Sequence, residues 1–144
     1  ESASRDGDRV LLTYRMETLY QDYAAMPRRF KVDLTSDSAG MQSSREREIL
    51  MRFPIRLNDG WSWRSRTEEF TRRVVSTNAT IVTPAGTFGD CLVIEFTSRI
   101  TAGGAATAIT SRSTYAPTVG LVKLEYDNPE QRIHNLELVE RGLE

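Results

Sequence analysis

The sequence has few of the residues from which disulfides, metal sites and membrane spans are built. Its 144 residues include one cysteine and one histidine, and its 19 basic side chains are balanced by 20 acidic ones. A single cysteine excludes an internal disulfide, and one cysteine with one histidine cannot supply an ordinary zinc site. No apolar run approaches the roughly 18 residues of a transmembrane helix, and a net charge of −1 gives no general attraction for a polyanion. We therefore expect no metal, no cofactor and no nucleic-acid partner.

Length and composition are typical of one soluble domain, with 39% hydrophobic and 27% charged residues. The polar stretch 1–8 is not expected to pack, and we interpret it as disordered or vector-derived. Leu143 and Glu144 resemble the remnant of a cloning site, so residues 142–144 are interpreted as a tail. These boundaries leave residues 9–141 as a single predicted β domain.

Hydrophobic side chains recur at every second position along much of the chain, which is the pattern of half-buried β-strands. The clearest examples are residues 9–20, 29–35, 49–57 and 92–100. Turn sequences separate these runs. The sharpest is Thr83-Pro84-Ala85-Gly86, because proline presets φ and glycine accepts a positive φ. The pattern predicts about eight or nine antiparallel strands in an all-β, strongly curved meander.

Two segments also contain helix signals. Five hydrophobic side chains in the first fit one face of a helix: Met16, Leu19, Tyr20, Tyr23 and Met26. The second, residues 44–52, consists of good helix formers. We interpret both as strands and keep one short helix over residues 16–26 as the alternative.

The two most reactive side chains have structural interpretations. Cys91 begins the apolar run 91–94, where a cysteine usually packs as a small hydrophobic residue. His134 is the only histidine available as a base for a nucleophile, and it lies in a predicted last strand over residues 132–136. We interpret it as a surface or rim residue, so neither side chain is predicted to be catalytic.

Paired carboxylates are the remaining candidates for catalysis, because most glycosidases act with two acids. An envelope glycan or lipid hydrolase would use acids around Glu46, Glu48 or Glu95. Arginines accompany these acids, and a neighbouring cation lowers a carboxyl pKa, which opposes a general-acid role. The hydrolase is therefore an alternative and not the leading prediction.

The most distinctive local chemistry lies between residues 60 and 66. Trp61 and Trp63 share one face of a predicted strand, and Arg64 and Arg66 share the other. The tryptophans can bury their area in the core, line a concave apolar pocket, or stack on single-stranded nucleic acid with help from the arginines. The aromatic and basic side chains point apart, which disfavours nucleic acid. The predicted ligand-binding residues are Trp61, Trp63 and Tyr115.

Three stretches carry recognisable motifs. They are PIRLNDGW over residues 54–61, VTPAGTFGDCLVI over 82–94 and YAPTVGLVK over 115–123. Together they resemble a family of bacterial envelope proteins, often lipoproteins, that is labelled TapB-like. The resemblance covers about residues 45–126, and Thr118 stands where that family usually has glycine.

This resemblance implies a curved antiparallel sheet or open half-barrel, similar to the carriers that shuttle lipoproteins across the periplasm. It also implies secretion with the leader removed, and no enzymatic activity. Its motif residues take structural roles: Gly86 and Gly120 in turns, Phe88 and Tyr115 in packing, and Cys91 in the core.

The predicted function is that of a non-catalytic secreted or envelope β domain. On a concave face it would bind a lipid-like small molecule or an envelope protein. It would meet a membrane only through a lipid anchor on the removed leader. A structural adaptor that adds a partner strand to an exposed sheet edge is a further alternative.

Overall fold

The computed structural model describes residues 2–6, 9–16, 28–42, 47–102 and 105–139. The chain divides into two compact units, Glu1–Ile55 and Arg56–Glu144. Each unit is built on one antiparallel sheet, so the all-β antiparallel prediction is confirmed, and neither sheet closes into a barrel. The boundaries of the single domain expected over residues 9–141 stay a prediction.

The first unit is a five-stranded meander in the order β1-β2-β3-β4-β5. Its strands are β1 (Ser2–Asp6), β2 (Arg9–Met16), β3 (Arg28–Leu34), β4 (Ser38–Gln42) and β5 (Arg47–Arg52). The strand interpretation of residues 47–52 is confirmed. β1 lies within the stretch 1–8, which the sequence left outside the fold, and it pairs with β2. The ambiguous segment 16–26 lies outside the described residues except for Met16, which ends β2.

Local hydrogen bonds form the turn between β3 and β4. The Thr35 amide donates to the Ser38 carbonyl at 2.8 Å, and the Ser38 amide donates to the Thr35 hydroxyl at 3.2 Å. The Thr35 hydroxyl also donates to the Asp37 carboxylate at 2.6 Å. Short polar side chains that bond nearby backbone are typical of such turns.

The second unit is a six-stranded meander in the order β11-β10-β9-β8-β7-β6. Its strands are β6 (Gly60–Arg64), β7 (Glu68–Thr83), β8 (Gly86–Ala102), β9 (Ala105–Ala116), β10 (Gly120–Tyr126) and β11 (Leu136–Glu137). β7 shifts register against β8 three times between Val74 and Ile81. Each such bulge bends its strand and increases the local twist, so these long strands depart from a flat ribbon.

Glycines form the turns at the positions that the sequence indicated. Thr83 pairs with Gly86 across a two-residue loop, and Gly86 has a φ of +130°. Gly120 has a φ of +98° at the end of the turn between β9 and β10. In that same turn Thr118 has a φ of +62°, a left-handed conformation that disfavours a β-branched residue.

The predicted last strand over residues 132–136 is wrong. Residues Pro129–His134 form a 3₁₀ helix, which places His134 at its end, and only Leu136–Glu137 is strand. The physical reason is the Asn128-Pro129 pair. The Asn128 side chain accepts a 2.9 Å hydrogen bond from the Glu130 amide, and proline is preorganised for the first position of a helix.

A small apolar cluster forms the core at one end of the second sheet. Cys91, Ala116 and Val122 are buried, and Leu138 packs against them. The Leu138 amide donates to the Val122 carbonyl at 2.8 Å, and its carbonyl accepts from the Ala85 amide at 3.1 Å. The chain after β11 is therefore held over this cluster, which agrees with the core role predicted for Cys91.

Candidate functional site

Cross-strand register sorts the side chains of the second sheet onto two faces. Residues directly opposite one another in an antiparallel ladder share a face. One face carries two adjacent rows, Trp61–Arg72–Phe96–Ser111 and Trp63–Phe70–Ser98–Ile109. The other carries the rows Ser62–Thr71–Thr97–Thr110 and Gly60–Arg73–Glu95–Arg112. We call these the aromatic face and the polar face.

Three rings stack on the aromatic face. The centroids of Trp63 and Phe70 are 5.2 Å apart with an interplanar angle of 18°, and those of Phe70 and Phe96 are 6.0 Å apart at 19°. Trp63 and Phe96 are 6.1 Å apart. All three side chains are half-buried, so the stack leaves part of its apolar surface uncovered. We call it the aromatic platform.

Arg72 packs against this platform from within the same face. Its guanidinium carbon lies 4.6 Å from the centroid of Phe96 and 5.8 Å from that of Trp63, within the range of cation–π attraction. Arg72 is 9% exposed and its row neighbour Trp61 is 7% exposed. Burial strengthens the attraction between the cation and the rings, so Arg72 fixes the position of Phe96 and Trp63.

On the polar face two arginines bind the Glu95 carboxylate. One carboxylate oxygen accepts from the Arg73 guanidinium at 3.2 Å. The other accepts from Nε and Nη2 of Arg112 at 3.2 and 3.0 Å. Arg112 also donates to the Asp127 carboxylate at 3.2 Å. This alternating row of charges is what an exposed sheet face uses for cross-strand stabilisation.

Two of the three acids proposed for a hydrolase lie among the described residues. Glu95 has both oxygens occupied by arginines, Glu48 belongs to β5 of the other unit, and Glu46 lies outside the described residues. Within the described part of the chain, no group of three or more histidine, cysteine, aspartate or glutamate side chains is placed to hold a metal ion.

A depression of about 360 Å³ opens on the second unit beside β6. Its lining residues are Gly60, Trp61, Ser62, Thr71, Arg72, Arg73, Glu95 and Thr97. Most of these belong to the polar face, so the depression is not the apolar pocket expected from the sequence. At its rim β6 lies close against β7, since a Cβ added at Gly60 would be 3.0 Å from the Arg72 carbonyl oxygen.

The three predicted ligand-binding residues do not lie together. Trp61 and Trp63 share the aromatic face, but Trp61 is buried beside Arg72. Tyr115 is on β9 and pairs with Leu92 of β8, four residues beyond Ser111, which is the β9 member of the Trp61 row. At about 3.3 Å per residue, Tyr115 is about 13 Å away along the strand direction alone. The structure instead brings Phe70 and Phe96 to Trp63, a grouping that only the register reveals.

Hydrogen bonding and burial shift the pKa values of Lys123 and Cys91 in the second unit. Hydrogen bonding to Glu125, and secondarily to Glu137, raises the pKa of the Lys123 ammonium even though burial opposes the shift. The ammonium lies 2.9 Å from Glu125 and 3.2 Å from Glu137, which ties β11 to β10. Burial, with a smaller contribution from Asp90, raises the pKa of the Cys91 thiol. A raised thiol pKa opposes the reactive thiolate form, in agreement with a structural cysteine.

Comparison with known proteins gives the family. A model described as DUF3108-like matches residues 21–137, which is most of the chain. The chain belongs to the DUF3108-like family. The TapB-like label expected from the motifs is not confirmed, and the description of the matching family names no activity.

One solved structure is similar to this DUF3108-like chain. It is described as a "putative exported protein with YmcC-like fold" from Bacteroides fragilis. The TM-score is 0.58 at 13% sequence identity, over 92% of this chain and 79% of the other. At that identity the likeness concerns the fold. No curated protein gives a significant match, and no helix in the described ranges is long and apolar enough to cross a membrane.

Proposed function

We propose that this DUF3108-like protein is a non-catalytic secreted or envelope β domain that binds a lipid-like molecule on its aromatic platform. The observation that carries the proposal is the half-buried stack of Trp63, Phe70 and Phe96. Ligand sites are lined mainly by apolar and aromatic side chains that are largely preformed, and cation–π contact with Arg72 holds these rings in place.

The area left uncovered is large enough to matter for binding. A fully buried aromatic side chain removes about 150–250 Å² from water. If about 50 Å² of each half-buried ring remains accessible, an acyl chain lying across the platform covers about 150 Å², worth about 4 kcal/mol. After the entropic cost of association, such a gain supports modest affinity for a single-chain lipid.

Two observations support export and the absence of catalysis. The similar structure is described as an exported protein with a YmcC-like fold, and a lipid-binding domain of that fold suits a secreted or envelope location. On the polar face both oxygens of the Glu95 carboxylate accept hydrogen bonds from Arg73 and Arg112, so neither is free to hold a proton for donation to a substrate.

The proposal is tested by titrating the protein with saturated fatty acids and lysophospholipids, below their micelle concentrations, while following tryptophan fluorescence. We expect a saturable change that grows with chain length, because each added methylene contributes about 0.8 kcal/mol when buried. Phe70→Ala should weaken binding, while Leu121→Ala serves as the matched control, since Leu121 is an exposed apolar residue remote from the platform along the sheet. If tryptophan fluorescence responds to no chain length, the proposal is contradicted. It is also contradicted if Phe70→Ala and Leu121→Ala lose the same amount of lipid affinity.

A further inference from the structure

Every second residue of β6 points its backbone amide and carbonyl groups away from β7, toward the open edge of the sheet. The Ser65 amide donates to the Glu68 carbonyl at 2.9 Å, which makes these two residues a hydrogen-bonded pair at the end of the β6–β7 ladder. Such pairs recur every two residues in an antiparallel ladder, so Trp63–Phe70 and Trp61–Arg72 are the next ones. The amide and carbonyl groups of Gly60, Ser62 and Arg64 therefore point away from β7.

Nothing in the described part of the chain pairs with this row, because β6 is the last strand of its sheet. At the opposite edge of the sheet, hydrogen bonds from the following chain cap β10. There the Val122 carbonyl accepts from the Leu138 amide at 2.8 Å, and the Tyr126 amide donates to the Asn135 side chain at 2.8 Å. Caps and bulges are the usual protection of a sheet edge against added strands.

The part of β7 that extends past β6 is also protected. Its register against β8 shifts three times between Val74 and Ile81, and such bulges disrupt the ladder that an added strand needs. β6 pairs with β7 without a register shift from Gly60 to Arg64. Among the described strands of this unit, β6 is thus a regular edge that carries neither a cap nor a bulge.

Charge at the two ends of β6 indicates what would bind there. Arg56 precedes the strand and Arg66 follows it, both are exposed, and neither makes an ion pair with a described residue. Arg64 differs, because its guanidinium donates to the Glu69 carboxylate at 2.8 Å. Both ends of the edge thus present an arginine whose charge is not neutralised by a described acid.

We propose that the β6 edge binds an extended segment of a partner protein with acidic residues at both ends. Its backbone would pair with Gly60, Ser62 and Arg64, and its acids would meet Arg56 and Arg66. Side chains opposite Trp61 and Trp63 would lie on the aromatic face and be apolar, and those between them would lie on the polar face. This proposal does not rest on the binding of a lipid-like ligand, although the two sites adjoin at Trp63.

The test uses two capped nine-residue peptides of alternating valine and threonine. One has two glutamates at each end and the other has two lysines, so they differ only in end charge. We expect the acidic peptide to bind at least about tenfold more tightly, since ion pairs gained at two exposed sites are replaced by repulsion in the lysine peptide. Hydrogen exchange should slow at the Ser62 and Arg64 amides when the acidic peptide binds.

Two variants separate backbone pairing from charge. Ser62→Pro removes an outward-facing donor without removing a β6–β7 hydrogen bond, and proline is tolerated on edge strands, so binding should be lost while the fold persists. Arg56→Glu with Arg66→Glu should reverse the preference between the peptides. Arg132→Glu, at an exposed residue of the 3₁₀ helix, is the control that should leave it unchanged.

The outcomes are distinct. Equal affinity of the two peptides, or no binding of the acidic peptide at millimolar concentration, overturns the inference. Doubling of the mass in solution together with protection of Ser62 and Arg64 in the absence of peptide would assign the edge to a second copy of this chain, and would also overturn it. If Ser62→Pro fails to fold, the charge-reversal variants decide the question alone.

Discussion

Replacement of Phe96 by leucine should destabilise the second unit by about 3 kcal/mol. Phe96 makes ring contacts with Phe70 and Trp63 and lies under the Arg72 guanidinium. Two aromatic pairs contribute about 1 kcal/mol each beyond area burial, and a largely buried cation–π contact adds about 1–2 kcal/mol. Leucine keeps most of the apolar volume but makes none of these three interactions.

The measurement is urea unfolding of Phe96→Leu beside Phe88→Leu. Phe88 packs against the apolar cluster around Cys91 and makes no ring contact with a described residue, so its replacement should cost about 1 kcal/mol, as a conservative apolar exchange does. A double-mutant cycle with Arg72→Met should give a coupling energy of about 1 kcal/mol or more between positions 72 and 96. Equal costs for the two leucine variants, or a coupling energy near zero, would refute the account of the platform.

Three further outcomes follow from local geometry. Thr118→Gly should stabilise the protein by about 1 kcal/mol, because glycine has no steric penalty at the φ of +62° that Thr118 adopts; an unchanged or lower midpoint in thermal unfolding would contradict this. Cys91 should react with iodoacetamide at pH 8 only after unfolding, since burial raises the pKa of its thiol, and rapid alkylation of the native protein would show otherwise. Hydrogen bonding to Arg64 lowers the pKa of Glu69, so the Glu69 carboxyl should titrate by NMR below the ordinary glutamate range. In Arg64→Gln its pKa should return toward that range, and an unchanged pKa would contradict this. The stability that the Arg64–Glu69 pair contributes should be present above the ordinary glutamate pKa and be lost as pH falls through the lowered pKa.

The strands of the second sheet could be predicted from the sequence because their chemistry is local. Residues 92–100 alternate with a period of two, and β8 covers them. Pro84 and Gly86 specify their turn through φ alone. In contrast, residues 2–6 carry no alternating apolar signal, so nothing local indicated β1.

The platform could not be predicted, because register depends on structure that is not local. Trp61 and Trp63 were visible as neighbours on one strand, but Phe70 and Phe96 reach Trp63 only through the pairings β6–β7 and β7–β8. The bulges between Val74 and Ile81 shift the far end of the same ladder, and a shift of one residue moves a side chain to the other face. Tyr115 was grouped with the tryptophans because the sequence does not show how far apart the strands place them; the β8–β9 pairing puts Tyr115 four residues beyond the Trp61 row.

The central claim, that an acyl chain lies on the aromatic platform, is tested most directly by bromine quenching. Trp61→Phe leaves Trp63 as the only tryptophan, because the chain has two. Fatty acids brominated in mid-chain quench an indole only on close contact. The account predicts saturable quenching of Trp63 by the brominated acid, prevented by an excess of the unbrominated one. Fluorescence that stays unquenched at concentrations where the acid is bound would contradict it.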